Sequence, residues 1–178
     1  MYYLSLICPD PPAGTIRAYQ EWMYAHFGCR AAMKSPPHIT LVPPFWFPEE
    51  KEESLKQVLS DFEFDRPAIE IHWNGFNHFG KRVLYVQVGD HPDLQGLESV
   101  LSRHLAMNLE ALAAPRQQPF HPHITIAARD MTPTAYLQAW AHFSGKPFKG
   151  SFVSGSISLM KLEPGRWTTE AVYPFRSA

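Results

Sequence analysis

Hydrophobic and polar positions along the chain change period repeatedly, and the changes mark short strands alternating with amphipathic helices. Tyr2–Cys8 is an almost unbroken apolar run, which predicts a buried strand broken by Pro9-Asp10-Pro11-Pro12. Ile16, Tyr19, Met23 and Phe27 then recur at helical spacing and predict a helix from about Gly14 to Phe27. His38-Ile39-Thr40-Leu41-Val42, entered through Ser35-Pro36-Pro37 and left through Pro43-Pro44, reads as a short strand. Pro48 with Glu49 and Glu50 opens a helix whose apolar face is Leu55, Val58, Leu59 and Phe62. Ile69, Ile71 and Trp73 alternate with Glu70 and His72 as on a half-buried strand, and Arg82–Val88 supplies another after Asn74-Gly75. Leu94, Leu97, Leu101, Leu105 and Leu109 mark a longer helix. His123-Ile124-Thr125-Ile126-Ala127 is the next strand, and Thr132-Pro133 caps and opens a helix through Tyr136, Trp140 and Phe143. Two strands, about Phe152–Leu162 and Arg166–Phe175, finish the chain around the turn Pro164-Gly165.

The order strand, helix, strand, helix, strand thus occurs twice. Two identical tetrapeptides, Pro37-His38-Ile39-Thr40 and Pro122-His123-Ile124-Thr125, lie 85 residues apart in a chain of 178, each with a helix before and after it. This pattern predicts an internal duplication: two similar α+β lobes around a pseudo-two-fold axis.

Hydrophobic residues make up 45% of the chain, enough for a substantial core. The formal net charge of -1 argues against a general nucleic-acid coating protein but leaves room for a pocket that grips one or two phosphates. Cys8 and Cys29 fit no zinc or redox signature, and a disulfide between them stays open. Residues Met1–Pro9 carry neither a basic leader nor a small-residue cleavage pattern, and no apolar stretch approaches the ~20 residues that span a bilayer. The expectation is a reduced, cytoplasmic protein.

Side chains alternate across a strand, so His38 and Thr40 share one face while Ile39 and Leu41 anchor the other; His123 and Thr125 repeat the arrangement. If the two lobes pack about a dyad, both pairs converge on one cleft. Imidazole titrates near pH 6.5, so one ring can be neutral and take a proton while the other is charged and gives one. The threonine hydroxyls can hold phosphate oxygens and stabilise the charge that builds there. Neither a metal nor a nucleoside triphosphate enters this scheme. A single His-Ile-Thr would be an ordinary strand segment; two at matched positions point to chemistry. His121-Pro122-His123 is a His-x-His pair of the kind that binds metals elsewhere, but no further ligands of the usual spacing accompany it. Histidines 26, 72, 78, 91, 104 and 142 receive no role. Among the aromatics, Trp46, Phe76, Phe79 and Trp167 fall near loops where a base could stack, although core packing is the default. Phe45 and Phe120, beside the two motifs, are the better candidates for lining the cleft. Lys34, Lys81, Arg82 and Arg166 could add charge at its rim, with solvated surface as the default.

Two copies of His-apolar-Thr-apolar, His38-Ile39-Thr40-Leu41 and His123-Ile124-Thr125-Ile126, make the chain resemble the two-histidine phosphoesterase superfamily, the group that contains bacterial 2′-5′ RNA ligases and cyclic nucleotide phosphodiesterases. Pro36-Pro37 and Pro44-Phe45 around the first copy and Phe120-His121-Pro122 before the second also look like family usage. The resemblance spans nearly the whole chain and implies one bilobal α+β domain over residues 1–178, with two facing antiparallel sheets flanked by helices and the cleft between the lobes. It implies a metal-independent phosphodiesterase that acts on 2′,3′-cyclic phosphates or 2′-5′ phosphodiester bonds of RNA or small nucleotides, without a cofactor. His38 and His123 would be the acid and base, and Thr40, Thr125, Arg129, Phe45 and Phe120 would bind substrate. RNA-ligase members commonly continue their second motif with Ala-Arg, whereas this chain has Ala127-Ala128-Arg129. In a regular strand that extra residue sets Arg129 on the face of His123 as a phosphate clamp. Alternatives are the reverse reaction, 2′-5′ joining of RNA ends, and a non-catalytic RNA- or nucleotide-binding module on the same scaffold. The expected partner is a small nucleotide or an RNA end, with no membrane and no required protein partner, for a monomer.

Overall fold

Fifteen short elements follow one another in the computed structural model, which describes residues 1–113 and 118–176. The first strand, β1 (Tyr2–Ile7), is buried along nearly its whole length, as its apolar run requires. Helix α1 (Pro12–Phe27) starts two residues earlier than the periodicity predicts, because a proline already has the φ of a first helical turn and has no N–H to leave unpaired. It ends at Gly28, whose left-handed φ of 70° lets its N–H donate to the Tyr24 carbonyl. A 3₁₀ turn at Ala32–Lys34 leads into β2 (His38–Phe45). Then come α2 (Glu52–Ser60), β3 (Ile69–Phe79), β4 (Val83–Val88), α3 (Pro92–Asn108), β5 (His123–Ala128) and α4 (Pro133–Phe143). The Thr132 side chain caps α4 by accepting from the Ala135 N–H at 3.1 Å.

The chain ends in three strands where two are predicted: β6 (Lys149–Ser154), β7 (Ser156–Glu163) and β8 (Arg166–Pro174). The first two read as one run because only Gly155 separates them.

All neighbouring strands pair antiparallel in one hydrogen-bonded ladder of eight, ordered β6-β3-β4-β5-β2-β1-β7-β8. The expected two sheets are therefore continuous, joined where Ile39 of β2 pairs with Ile124 of β5. The ladder cannot lie flat. Six strand spacings separate β6 from β7, about 29 Å in a planar sheet, yet a single residue connects them and spans no more than about 7 Å. It folds back so that β6 and β7 meet at one corner.

The helices cover the ladder in a crossed manner. Helix α1, which precedes the first motif strand, packs on β5; α3, which precedes the second, packs on β2. Their apolar stripes, Ile16 and Met23 on α1 and Leu94, Leu97, Leu101 and Leu105 on α3, join Leu4, Leu6, Ile39, Leu41, Ile124 and Ile126 in the core. Cys8 and Cys29 are both free and buried, so no disulfide joins them. No helix among the described residues is long and apolar enough to cross a membrane.

Candidate functional site

The two motif strands are neighbours at the centre of the ladder, and their backs are fixed by Ile39, Leu41, Ile124 and Ile126, all at 0–1% exposure. Ile39 opposes Ile124. Extended one residue each way, the antiparallel register sets His38 opposite Thr125 and Thr40 opposite His123. The strands are also built alike. Ile7 pairs with His38 and Ser5 with Thr40; Gln87 pairs with His123 and Tyr85 with Thr125. Each then shifts register directly after its threonine, leaving two successive buried residues, Leu41-Val42 in one and Ile126-Ala127 in the other.

Both imidazoles are oriented by the same device. His38 Nδ1 lies 2.7 Å from the Pro36 carbonyl oxygen, and His123 Nδ1 lies 2.7 Å from that of His121. A carbonyl only accepts, so Nδ1 carries the proton in both rings and Nε2 is the atom left for chemistry. In each motif the carbonyl is two residues upstream, across the intervening proline Pro37 or Pro122.

His38, Thr40, His123, Thr125 and Arg129 all line one cavity of about 540 Å³. Arg129 arrives there by a different route from the one the sequence implies. The register shift at Ile126-Ala127 reverses strand parity, so Ala128 takes the cavity face. The strand ends there, and Arg129 adopts a left-handed φ of 59° that turns it into the cavity. Phe45 and Phe120 lie outside the cavity lining, contrary to expectation. Phe45 pairs with Tyr2 beyond a second register shift on β2 and packs against its buried ring, with centroids 6.3 Å apart. Phe120 is buried in the core, where its carbonyl accepts from the Gln95 side chain at 3.4 Å. His121 is also outside; its ring meets Phe79 edge-on and its Nε2 lies 3.4 Å from the Tyr85 hydroxyl. Among the described residues no three His, Cys, Asp or Glu side chains gather as a metal-holding group.

The electrostatics differ from the chain average. Arg30, Lys34 and Arg129 face the cavity with one acid, Asp130. The Asp130 carboxylate accepts the Arg30 and Ala31 backbone N–H groups at 2.8 and 2.9 Å, which ties the turn after β5 to the loop after α1. Burial holds His38 well below the usual imidazole value, at about 4; the Pro36 carbonyl acts in the opposite sense and His123 adds to the lowering. His38 is thus neutral at pH 7, with a lone pair on Nε2.

Tyr3, Gln20, Arg30 and Ser35 are among the lining residues that escape the motif-based reading. Two left a signal in the pattern. Tyr3 and Ser5 alternate with Leu4 and Leu6 inside an apolar run, which marks a face with polar work to do. Gln20 occupies a position on the apolar stripe of α1; it is 2% exposed and donates through Nε2 to the Thr125 carbonyl at 3.0 Å. Arg30 and Ser35 sit in an irregular loop with no period to mark them. Lys34 and Trp167, whose default was surface or core, also reach the cavity.

Known proteins resemble this chain in sequence or in fold. A "Putative phosphoesterase" of Geobacillus kaustophilus (strain HTA426) is 28% identical over 136 residues, covering 75% of each chain. The crystal structure of TT0787 of Thermus thermophilus superposes with a TM-score of 0.72 at 17% identity, over 99% of this chain and 98% of that one. E. coli LigT complexed with 3′-AMP gives 0.66 at 19% identity, over 99% and 98%. These likenesses establish the α+β fold. The sequence profile of the 2′-5′ RNA ligase superfamily matches residues 8–166, and the chain belongs to that superfamily.

Proposed function

We propose that this protein is a phosphodiesterase that opens 2′,3′-cyclic phosphates or cleaves 2′-5′ phosphodiester bonds in small nucleotides or RNA ends, by acid–base catalysis at His38 and His123 and without a metal. The observation that carries the reading is the matched pair of Nδ1–H···O=C bonds, which leaves two Nε2 atoms for one cavity.

In this scheme His38 is the base for opening a cyclic phosphate. Its Nε2 takes a proton from water as the water oxygen bonds to phosphorus. The bond from phosphorus to one ribose oxygen breaks, and the protonated His123 Nε2 gives its proton to that oxygen. The product is a 2′- or 3′-phosphomonoester, and the two rings exchange protons with solvent to reset. Thr40 and Thr125 hydroxyls donate to the non-bridging oxygens, and Arg129 adds positive charge where the phosphate sits. E. coli LigT has been crystallised with 3′-AMP, a ligand of the size and charge of one such product. With the 5′-hydroxyl of a second RNA end in place of water, the same pair joins the two ends: the hydroxyl oxygen bonds to phosphorus as His38 takes its proton, the bond to the 3′-oxygen breaks, and His123 protonates that oxygen, leaving a 2′-5′ bond.

We take residues 1–178 as one domain of two interleaved pseudo-repeats whose halves of the ladder face each other across the cavity. The matching registers and bulges of β2 and β5 and the crossed packing of α1 and α3 support this. The test of function is a turnover screen of nucleoside 2′,3′-cyclic phosphates, 2′-5′ dinucleotides and cleaved RNA ends, with the position of the product phosphate identified. Hydrolysis of a cyclic phosphate or a 2′-5′ bond is expected; no turnover of any of the three would reject the reading.

A further inference from the structure

Tyr3 and Ser35 stand behind His38, and the acid–base scheme above makes no use of them. Tyr3 is 3% exposed on β1, with its ring tilted against His38 at 5.0 Å and sealed edge-on by Trp167 at 4.7 Å. Its hydroxyl makes a short hydrogen bond with the Ser35 hydroxyl, and Ser35 Oγ lies 3.4 Å from His38 Nδ1. Because the Pro36 carbonyl keeps the proton on Nδ1, Ser35 Oγ is its second acceptor. Beyond Tyr3, the hydroxyl of Ser5 is wholly buried and has no hydrogen-bond partner of its own among the described residues.

We propose that Ser35 and Tyr3 are positioning residues: a one-way relay from His38 Nδ1–H through the Ser35 hydroxyl to the Tyr3 hydroxyl that holds His38 in its Nδ1–H tautomer and raises the basicity of Nε2. The role in catalysis rests on the phosphodiesterase reading; the relay itself does not. When Nε2 takes a proton the ring becomes a cation, and its Nδ1–H bonds become charge-assisted and stronger. Hydroxyls that all donate in one direction polarise one another and add to that gain. The relay thereby works against burial, which favours the neutral ring. Burial also pushes the Tyr3 phenol up to about 12, with the hydrogen bond to Ser35 acting in the opposite sense, so it stays protonated throughout the working range. The other titratable and charged groups around His38 are His123 from β5, Arg30 and Lys34 from the loop after α1, and Arg129 and Asp130 after β5.

The test is a ¹⁵N NMR titration of the histidine rings in the full chain, for wild type, Ser35→Ala, Tyr3→Phe and Ser35→Thr. Tyr3→Phe keeps the ring that seals His38, which guards against misfolding. One lost hydrogen bond corresponds to a fall of about 0.5–1 pH unit. The His38 pKa is expected to fall by that much in Ser35→Ala, by less in Tyr3→Phe, and to return in Ser35→Thr. On a 2′,3′-cyclic nucleotide kcat should fall about fivefold in Ser35→Ala with KM unchanged. A His38 titration and tautomer identical to wild type in both Ser35→Ala and Tyr3→Phe would overturn the relay. If the resonances move as expected while no nucleotide is turned over, the relay stands and the phosphodiesterase reading falls.

Discussion

Ile39 and Ile124 are register partners at the middle of the ladder, each at 0% exposure, and their pairing joins the strands that carry His38 and His123. They hold the two imidazoles in register from behind. Ile124→Ala removes buried methyl groups at that seam and should cost about 2–4 kcal/mol in urea unfolding, against about 1 kcal/mol for Ile124→Val. A loss below about 0.5 kcal/mol for the alanine variant would show that the seam does not anchor the fold.

The lowered value of His38 sets the pH dependence. A base must be neutral in the free enzyme, so the acid limb of kcat/KM is expected near pH 4 rather than near the ordinary 6.5. The same shift has a sign for stability. The unfolded chain takes up this proton below about 6.5 and the folded chain only near 4, so the contribution is full above 6.5 and is lost as pH falls between the two. Wild type should therefore lose more stability than His38→Gln between pH 7 and pH 4.5, as measured by urea unfolding. Equal losses in the two proteins would remove the shift from the account.

Thr40 and Thr125 each offer one hydroxyl from the cavity face of a motif strand. Replacing either by valine keeps the shape and removes the donor, and should lower kcat/KM about tenfold without abolishing turnover. A threonine variant more damaged than both histidine variants would point to a nucleophilic threonine instead.

Both Nδ1 atoms are committed to carbonyls and His121 lies outside the cavity lining, so the proposed chemistry rests on two imidazoles alone. Turnover should survive extensive dialysis against a chelator, and His121→Ala should stay active. Activity lost on chelation, restored by one divalent ion and abolished in His121→Ala would replace acid–base catalysis with a metal site.

Much of this was legible in the sequence, and the failures have physical causes. Periods of two and 3.6 located the helices and most strands, and the repeated Pro-His-Ile-Thr gave four cavity-lining residues at once. The boundary between β6 and β7 was hidden, because Gly155 alone carries the chain across a corner that exists only when the ladder folds back. Arg129 reaches the cavity by a geometry other than the expected one: a bulge, which parity cannot foresee, reversed the strand before it. Phe45 was misplaced because adjacency to a motif says nothing about which side of the strand a ring takes. Arg30 and Ser35 reach the cavity from a loop, where position depends on tertiary contacts such as the Asp130 carboxylate on the Arg30 amide.

The most direct measurement is steady-state turnover of a nucleoside 2′,3′-cyclic phosphate by His38→Ala and by His123→Ala, each checked for its fold by circular dichroism. A positioned acid or base contributes about 10²–10⁴-fold, so each variant should lose activity on that scale while keeping the wild-type spectrum. Near wild-type rates in both folded variants would contradict the two-histidine mechanism outright.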